Sequence, residues 1–192
     1  MQTPILGIWA SQITGRLSTN SYESIATVTV GAGGSSSISF SSIPSTYKHL
    51  QIRCISTTSR ATYSLDQIFV RFNSDTGSNY SWHALAGNGA SASTDVGTTQ
   101  TYMNMGWTSS TVTANIFGGH IMDILDYADT NKYKTIRALG GMDINGTTAG
   151  LGGAVRLTSG NWRSTSAIST VTIIPDNNPF QQYSSFALYG IK

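Results

Sequence analysis

Apolar residues in this chain come in short runs, and each run is closed by Gly, Ser, Asn, Asp or Pro. That punctuation leaves no room for a long helix and predicts strands instead. YESIATVTV (22–30) leads through GAGGSSS, a flexible hairpin connection, into SISF (37–40). KHLQIRCIS (48–56) puts Leu50, Ile52 and Cys54 on one face at period two, and QIFVRF (67–72) does the same with Ile68, Val70 and Phe72. SWHALAG, TYMNMGW, NIFGGHIMDIL, YKTIRALGG, GAVRLTS, STVTIIP and SFALYGIK complete the series. About ten or eleven strands at this spacing predict an all-β, antiparallel sandwich or barrel. DYADTNK (126–132) supports at most one short helical turn. NIFGGHIMDIL is apolar on both faces, which predicts a doubly buried strand or a place where another backbone comes close to the paired glycines.

Composition points the same way. Only 10% of the residues are charged, Glu occurs once (Glu23), and Ser, Thr, Gly and Asn fill the polar positions. These residues compete with or loosen helical backbone. The net charge is +2 with no Lys/Arg run, so the clustered basic footprint of a nucleic-acid binder is missing. The single Cys54 cannot form an internal disulfide and reads as a small buried hydrophobe. No secretory leader is apparent and no apolar run is long enough to insert in a membrane.

Residues 1–20, MQTPILGIWASQITGRLSTN, stand apart from the strand pattern. They carry no charge before Arg16, and Pro4 and Gly7 disfavour a helix. Beside a chain large enough to close its own core, Ile5, Leu6, Ile8 and Trp9 are surplus apolar surface. We therefore expect two parts: a docking arm, 1–20, and a sandwich domain, 21–192.

Candidate sites are few. NSDTGSNY (73–80) spaces Asn73, Asp75, Gly77 and Asn79 as a calcium loop would, but lacks the closing bidentate acid, and a plain Asx-type turn explains the same residues. Asp123, Asp126 and Asp129 form the densest acidic group; they suit either a glycosidase pair, a hard cation, or an exposed turn balanced by Lys132 and Lys134. His49, His83 and His120 follow no metal-ligand spacing, Ser occurs in no nucleophile elbow, and GAGGSSS and GLGGA precede no predicted helix. No residue is assigned to catalysis, to a metal or to a cofactor. The aromatics Tyr80, Trp82, Trp107, Tyr127 and Trp162, with Tyr102, Tyr133 and Tyr183, suit a glycan-stacking platform or a subunit interface, and equally the core of a sandwich.

Several stretches together carry a resemblance. ESIATVTV with the following turn and ISFSSIPSTYKHLQIR, then FNSDTGSNYSWHALAGNGASAS, MDILDYADTNKYKTIRAL and the terminal FALYGIK resemble the small β-sandwich virion proteins of tailed bacteriophages, as found in phages of aquatic bacteria and cyanobacteria. The likeness implies a jelly-roll-like domain on the outside of a virus particle, made in the host cytoplasm, and implies no catalytic residue set. PILGIWASQITG is similar to the lead-in of such domains. The expected protein is a non-enzymatic, tail-fibre-type or host-facing adhesin held on the particle by residues 1–20. The alternatives are a capsid decoration or cement protein without a host ligand and, last, a polysaccharide-degrading enzyme. Expected partners are further copies of the chain, in a trimer that would gain avidity from weak sites, other virion proteins of tail, portal or capsid, and a host surface glycan.

Overall fold

The computed structural model describes residues 21–146 and 152–192. Ile5, Leu6, Ile8, Trp9 and the rest of the expected arm, and part of GLGGA, lie outside the described residues. Every regular element among the described residues is a strand: β1 (Tyr22–Thr29), β2 (Ile38–Phe40), β3 (His49–Thr58), β4 (Leu65–Phe72), β5 (Tyr80–Gly87), β6 (Ala92–Gln100), β7 (Met103–Ser110), β8 (Gly118–Leu125), β9 (Lys134–Asp143), β10 (Gly153–Trp162), β11 (Val171–Pro175) and β12 (Ser185–Ile191). DYADTNK forms turns. No helix among these residues is long and apolar enough to cross a membrane, which leaves strands as a separate matter.

The strands form two sheets. The larger runs β1-β12-β3-β8-β9-β10-β5-β6 and is antiparallel throughout. The smaller runs β2-β11-β4-β7, and the end of β3 joins it by a short parallel pairing of Thr57 and Thr58 with Ser109 and Ser110.

The pairing has a simple rule once the hairpins β5–β6 and β9–β10 are set aside. Of the remaining eight strands, the first pairs with the last (β1, β12), the second with the seventh (β2, β11), the third with the sixth (β3, β8) and the fourth with the fifth (β4, β7). This is a hairpin of strand pairs rolled on itself, the jelly roll. The two hairpins left out both extend the larger sheet beyond β8.

Inward residues follow the predicted phase in several strands. Leu50, Ile52 and Cys54 of β3 and Ile68, Val70 and Phe72 of β4 are buried in one core cluster with Phe186, Leu188 and Ile173. Burial pushes the Cys54 thiol up to about 12, so it is packing rather than a nucleophile. In β8 the alternation is regular: Gly118, His120, Met122 and Ile124 face inward, while Gly119 and Ile121 face out. NIFGGHIMDIL is therefore buried on one side only. The close approach expected at its glycines does occur, since a Cβ on Gly118 would lie 3.0 Å from the Thr108 Cα of β7.

Chain direction divides the connections between two ends. Ser21, Lys192 and the turns 41–48, 73–79, 126–133 and 163–170 lie at one end. The connections 59–64, 88–91, 111–117 and 176–184 lie at the other. The ten residues of β3 separate the two by roughly 30 Å.

Candidate interaction surfaces

The acidic group at the end of β8 and in the turn that follows is held together by cations. Asp123 accepts from Gln51 Nε2 at 2.7 Å and from Arg137 Nε at 2.9 Å. Asp126 binds Lys132 Nζ and, at 3.1 Å, Lys48 Nζ, and its backbone N–H donates to His49 Nδ1. The hydrogen bonds from Lys132 and Lys48 hold the Asp126 carboxyl at about 2. Asp129 accepts from the backbone N–H and side-chain amide of Asn131, and it too is held below the ordinary carboxylate range. A glycosidase acid needs a raised pKa beside an ionised partner. Here Asp126 and Asp129 are shifted the opposite way, and each is balanced by Lys132 at the turn.

The 73–80 stretch also closes on itself. Burial would raise the Asp75 carboxyl, but hydrogen bonds from Trp162 Nε1 (2.7 Å), Asn79 Nδ2 (2.9 Å) and the Gly77 N–H (2.8 Å) outweigh it and the net shift is downward. Its acceptor sites are spent on the turn. Among the described residues no cluster of His, Cys, Asp and Glu could hold a metal ion.

Of the aromatics that suit a stacking platform, an interface or the core, Tyr80, Trp82, Tyr127 and Trp162 are all buried in the core. The reason is that most of their polar tips find partners inside. The Tyr80 hydroxyl accepts the Phe72 N–H at 3.0 Å, Tyr127 donates to the Pro44 carbonyl, and Trp162 donates to Asp75. With those groups satisfied, their large apolar area is worth more inside than on a rim. Trp107 is half-buried, and the Arg156 guanidinium lies between it and Trp82, 4.7 and 5.3 Å from the two ring centres. Asp95 caps this stack, accepting from Arg156 Nη2 at 3.0 Å. Tyr133 and Tyr183 remain exposed.

Two surfaces that sequence reasoning missed stand out. The first is the outer face of the larger sheet. Ile121, Leu139, Leu157 and Leu85 lie directly opposite one another across β8, β9, β10 and β5. They are 44%, 54%, 52% and 52% exposed. Ile55, Val155 and Val96 are also exposed on this face. A shallow hollow of about 490 Å³ sits between Leu85, Val96 and Leu157. β10 is inverted relative to its sequence pattern: Arg156 and Thr158 point inward, while Val155 and Leu157 point to solvent.

The second surface is a depression of about 300 Å³ at the end of the sandwich away from Ser21. Hydroxyls and amides such as those of Thr57, Ser110, Asn115 and Gln181 line it together with the apolar side chains of Ile116 and Phe117, with no charged side chain among the lining residues. The Thr57 hydroxyl is buried and makes no hydrogen bond among the described residues. Tyr183, on the rim, is 71% exposed and held at φ 71°, a left-handed conformation unusual for an aromatic residue. No protein-family model matches the chain, and no curated protein resembles it at a significant level.

Proposed function

We propose that the chain is a non-enzymatic bacteriophage virion protein, a tail-fibre-type or host-facing adhesin mounted on the particle through residues 1–20. The virion setting rests on the sequence likeness and on the jelly-roll pairing that agrees with it. The observation that carries the adhesin reading is the separation of surfaces. Ser21 lies at one end of the sandwich, and the uncharged depression of hydroxyls, amides, Ile116 and Phe117 lies at the other. Polyols are recognised by such groups together with an aromatic face, and Tyr183 supplies one at the rim. Tyr183 is both exposed and held in a left-handed conformation, and backbone strain of this kind clusters at binding sites.

Two measurements test this reading. Deletion of residues 2–17 is expected to leave a folded sandwich whose melting temperature moves by no more than about 3 °C, while incorporation into particles falls at least about tenfold, read by quantitative blotting of purified particles. Unfolding of the truncated chain would make the arm part of the core and defeat the two-part organisation. Tyr183→Gly relieves the left-handed strain and should keep or raise the melting temperature. Binding of the purified chain to host cells should weaken about tenfold at the same time. Unchanged binding would remove the loop end from the adhesin reading.

A further inference from the structure

We propose that the apolar row on the outer face of the larger sheet is the receiving site for the segment Pro4–Ala10 of a neighbouring copy, so that copies are joined by exchanged arms. The inference rests on the reading of residues 1–20 as a docking element and adds what that element docks on.

Four exposed aliphatic side chains in direct register, flanked by three more, exceed the scattered apolar residues normal on a soluble surface. The inversion of β10 strengthens the point. A one-residue change of phase would bury Val155 and Leu157 and expose Arg156 and Thr158. Instead, the Trp82–Arg156–Trp107 stack and Asp95 hold the charge inside, and the aliphatic residues are displayed.

The occupant must be apolar, uncharged and about as long as the row. With Ile55 on β3 and Val96 on β6, each two residues off the row, the apolar patch crosses five strand spacings, roughly 24 Å at about 4.8 Å each. An extended stretch of seven residues spans roughly 23 Å. Pro4–Ala10 is seven residues, PILGIWA, with Ile5, Leu6, Ile8 and Trp9 and no charge. The ten residues from Ser11 to Asn20 then give roughly 33 Å of reach from Ser21, ample to enter an adjacent molecule.

Exchange is favoured over self-docking by what lies between. Ser21 leads into β1, the edge of the sheet opposite to β5 and β6. On the outer face from there to the row stand Arg53, held over the rings of Tyr22 and Tyr189, and the Gln51–Asp123–Arg137 network. In exchange each copy gives one arm and receives one, a head-to-tail contact that forms a ring where the rotation between copies closes.

The test uses the purified full-length chain with Ile8→Cys and Leu139→Cys together. Cys54, buried with its thiol pushed up to about 12, stays out of the reaction. Mild oxidation is expected to give disulfide-linked oligomers on non-reducing gels. Ile8→Cys with Ser39→Cys, on the smaller sheet, should give none. A cross-link only within one chain would mean self-docking and overturn the exchange. A product from Leu139→Cys alone would mean that two rows meet face to face and would also overturn it, as would no cross-link at all. In parallel, Leu139→Ser with Leu157→Ser, which alters only outward side chains, should raise tryptic cleavage after Arg16 about tenfold. An unchanged rate overturns the proposal. Both readouts are made without particles, so their failure leaves the virion reading to be judged by incorporation alone.

Discussion

Gly140→Ala is expected to destabilise the folded chain by about 3 kcal/mol, measured by urea unfolding at pH 7. Gly140 of β9 lies directly opposite His120 of β8, and a Cβ there would sit 2.0 Å from the imidazole Cδ2. The ring has nowhere to go. Its Nε2 is hydrogen-bonded to the Trp107 carbonyl at 2.7 Å, and a Cβ on Gly106 of β7 would also come within 3.1 Å of Cδ2. The imidazole is thus a spacer between the two sheets, admitted by a glycine on each. The double variant Gly140→Ala with His120→Ala should cost less than the sum of the two single changes, because the small side chain removes the clash. Additive costs would show that the ring is free to move.

Acidification from pH 7 to pH 4 should remove about 3 kcal/mol of stability through His120 alone. Burial lowers its pKa from 6.5 to about 4, against a smaller upward pull from the Trp107 carbonyl. The unfolded chain takes up a proton as pH falls through 6.5, whereas the folded chain resists until about 4. Between those values the unfolded state binds more protons, so stability falls as pH falls. The depressed carboxyls act in a lower window. Asp126, at about 2, contributes stability that is present above the unfolded carboxyl value near 4 and is lost as pH drops towards 2. Urea midpoints of the wild type and His120→Asn across pH 7 to 3 separate the two. The variant should lose the slope between 6.5 and 4 and keep the one below. A variant profile that tracks the wild type throughout would contradict the assignment.

Much of the fold was legible from alternation and turn residues, and the exceptions have physical causes. β3 and β4 were placed with the right residues inward because each buries one face against the same core. β6 went unread because ASTDVGTTQ, at the sheet edge, is exposed along almost its whole length and buries only Gly97, under the Trp82 ring. The resemblance led to the jelly roll, whereas the two inserted hairpins needed the pairing itself. The aromatic residues were ambiguous since burial depends on partners far away in sequence, as with Trp162 and Asp75. The row on the outer face left one faint signal, the apolar character of both faces in NIFGGHIMDIL, whose Ile121 stands in the row. In β10 the alternation of Val155 and Leu157 with Arg156 and Thr158 carries no hint of the inversion, because the Trp82–Trp107 stack and Asp95 that admit Arg156 come from distant segments.

The pairing of first strand with last bears on how this chain is made. β12 lies between β1 and β3 inside the larger sheet, and β1 has no other partner among the described residues. During synthesis β1 must wait until every intervening strand has left the ribosome, and β3 keeps one open edge for nearly as long. Closure is therefore a late, long-range event, of the kind that folds in milliseconds to seconds rather than microseconds. Until it happens the nascent chain presents unpaired strand edges at micromolar concentrations, where association with other chains competes with folding.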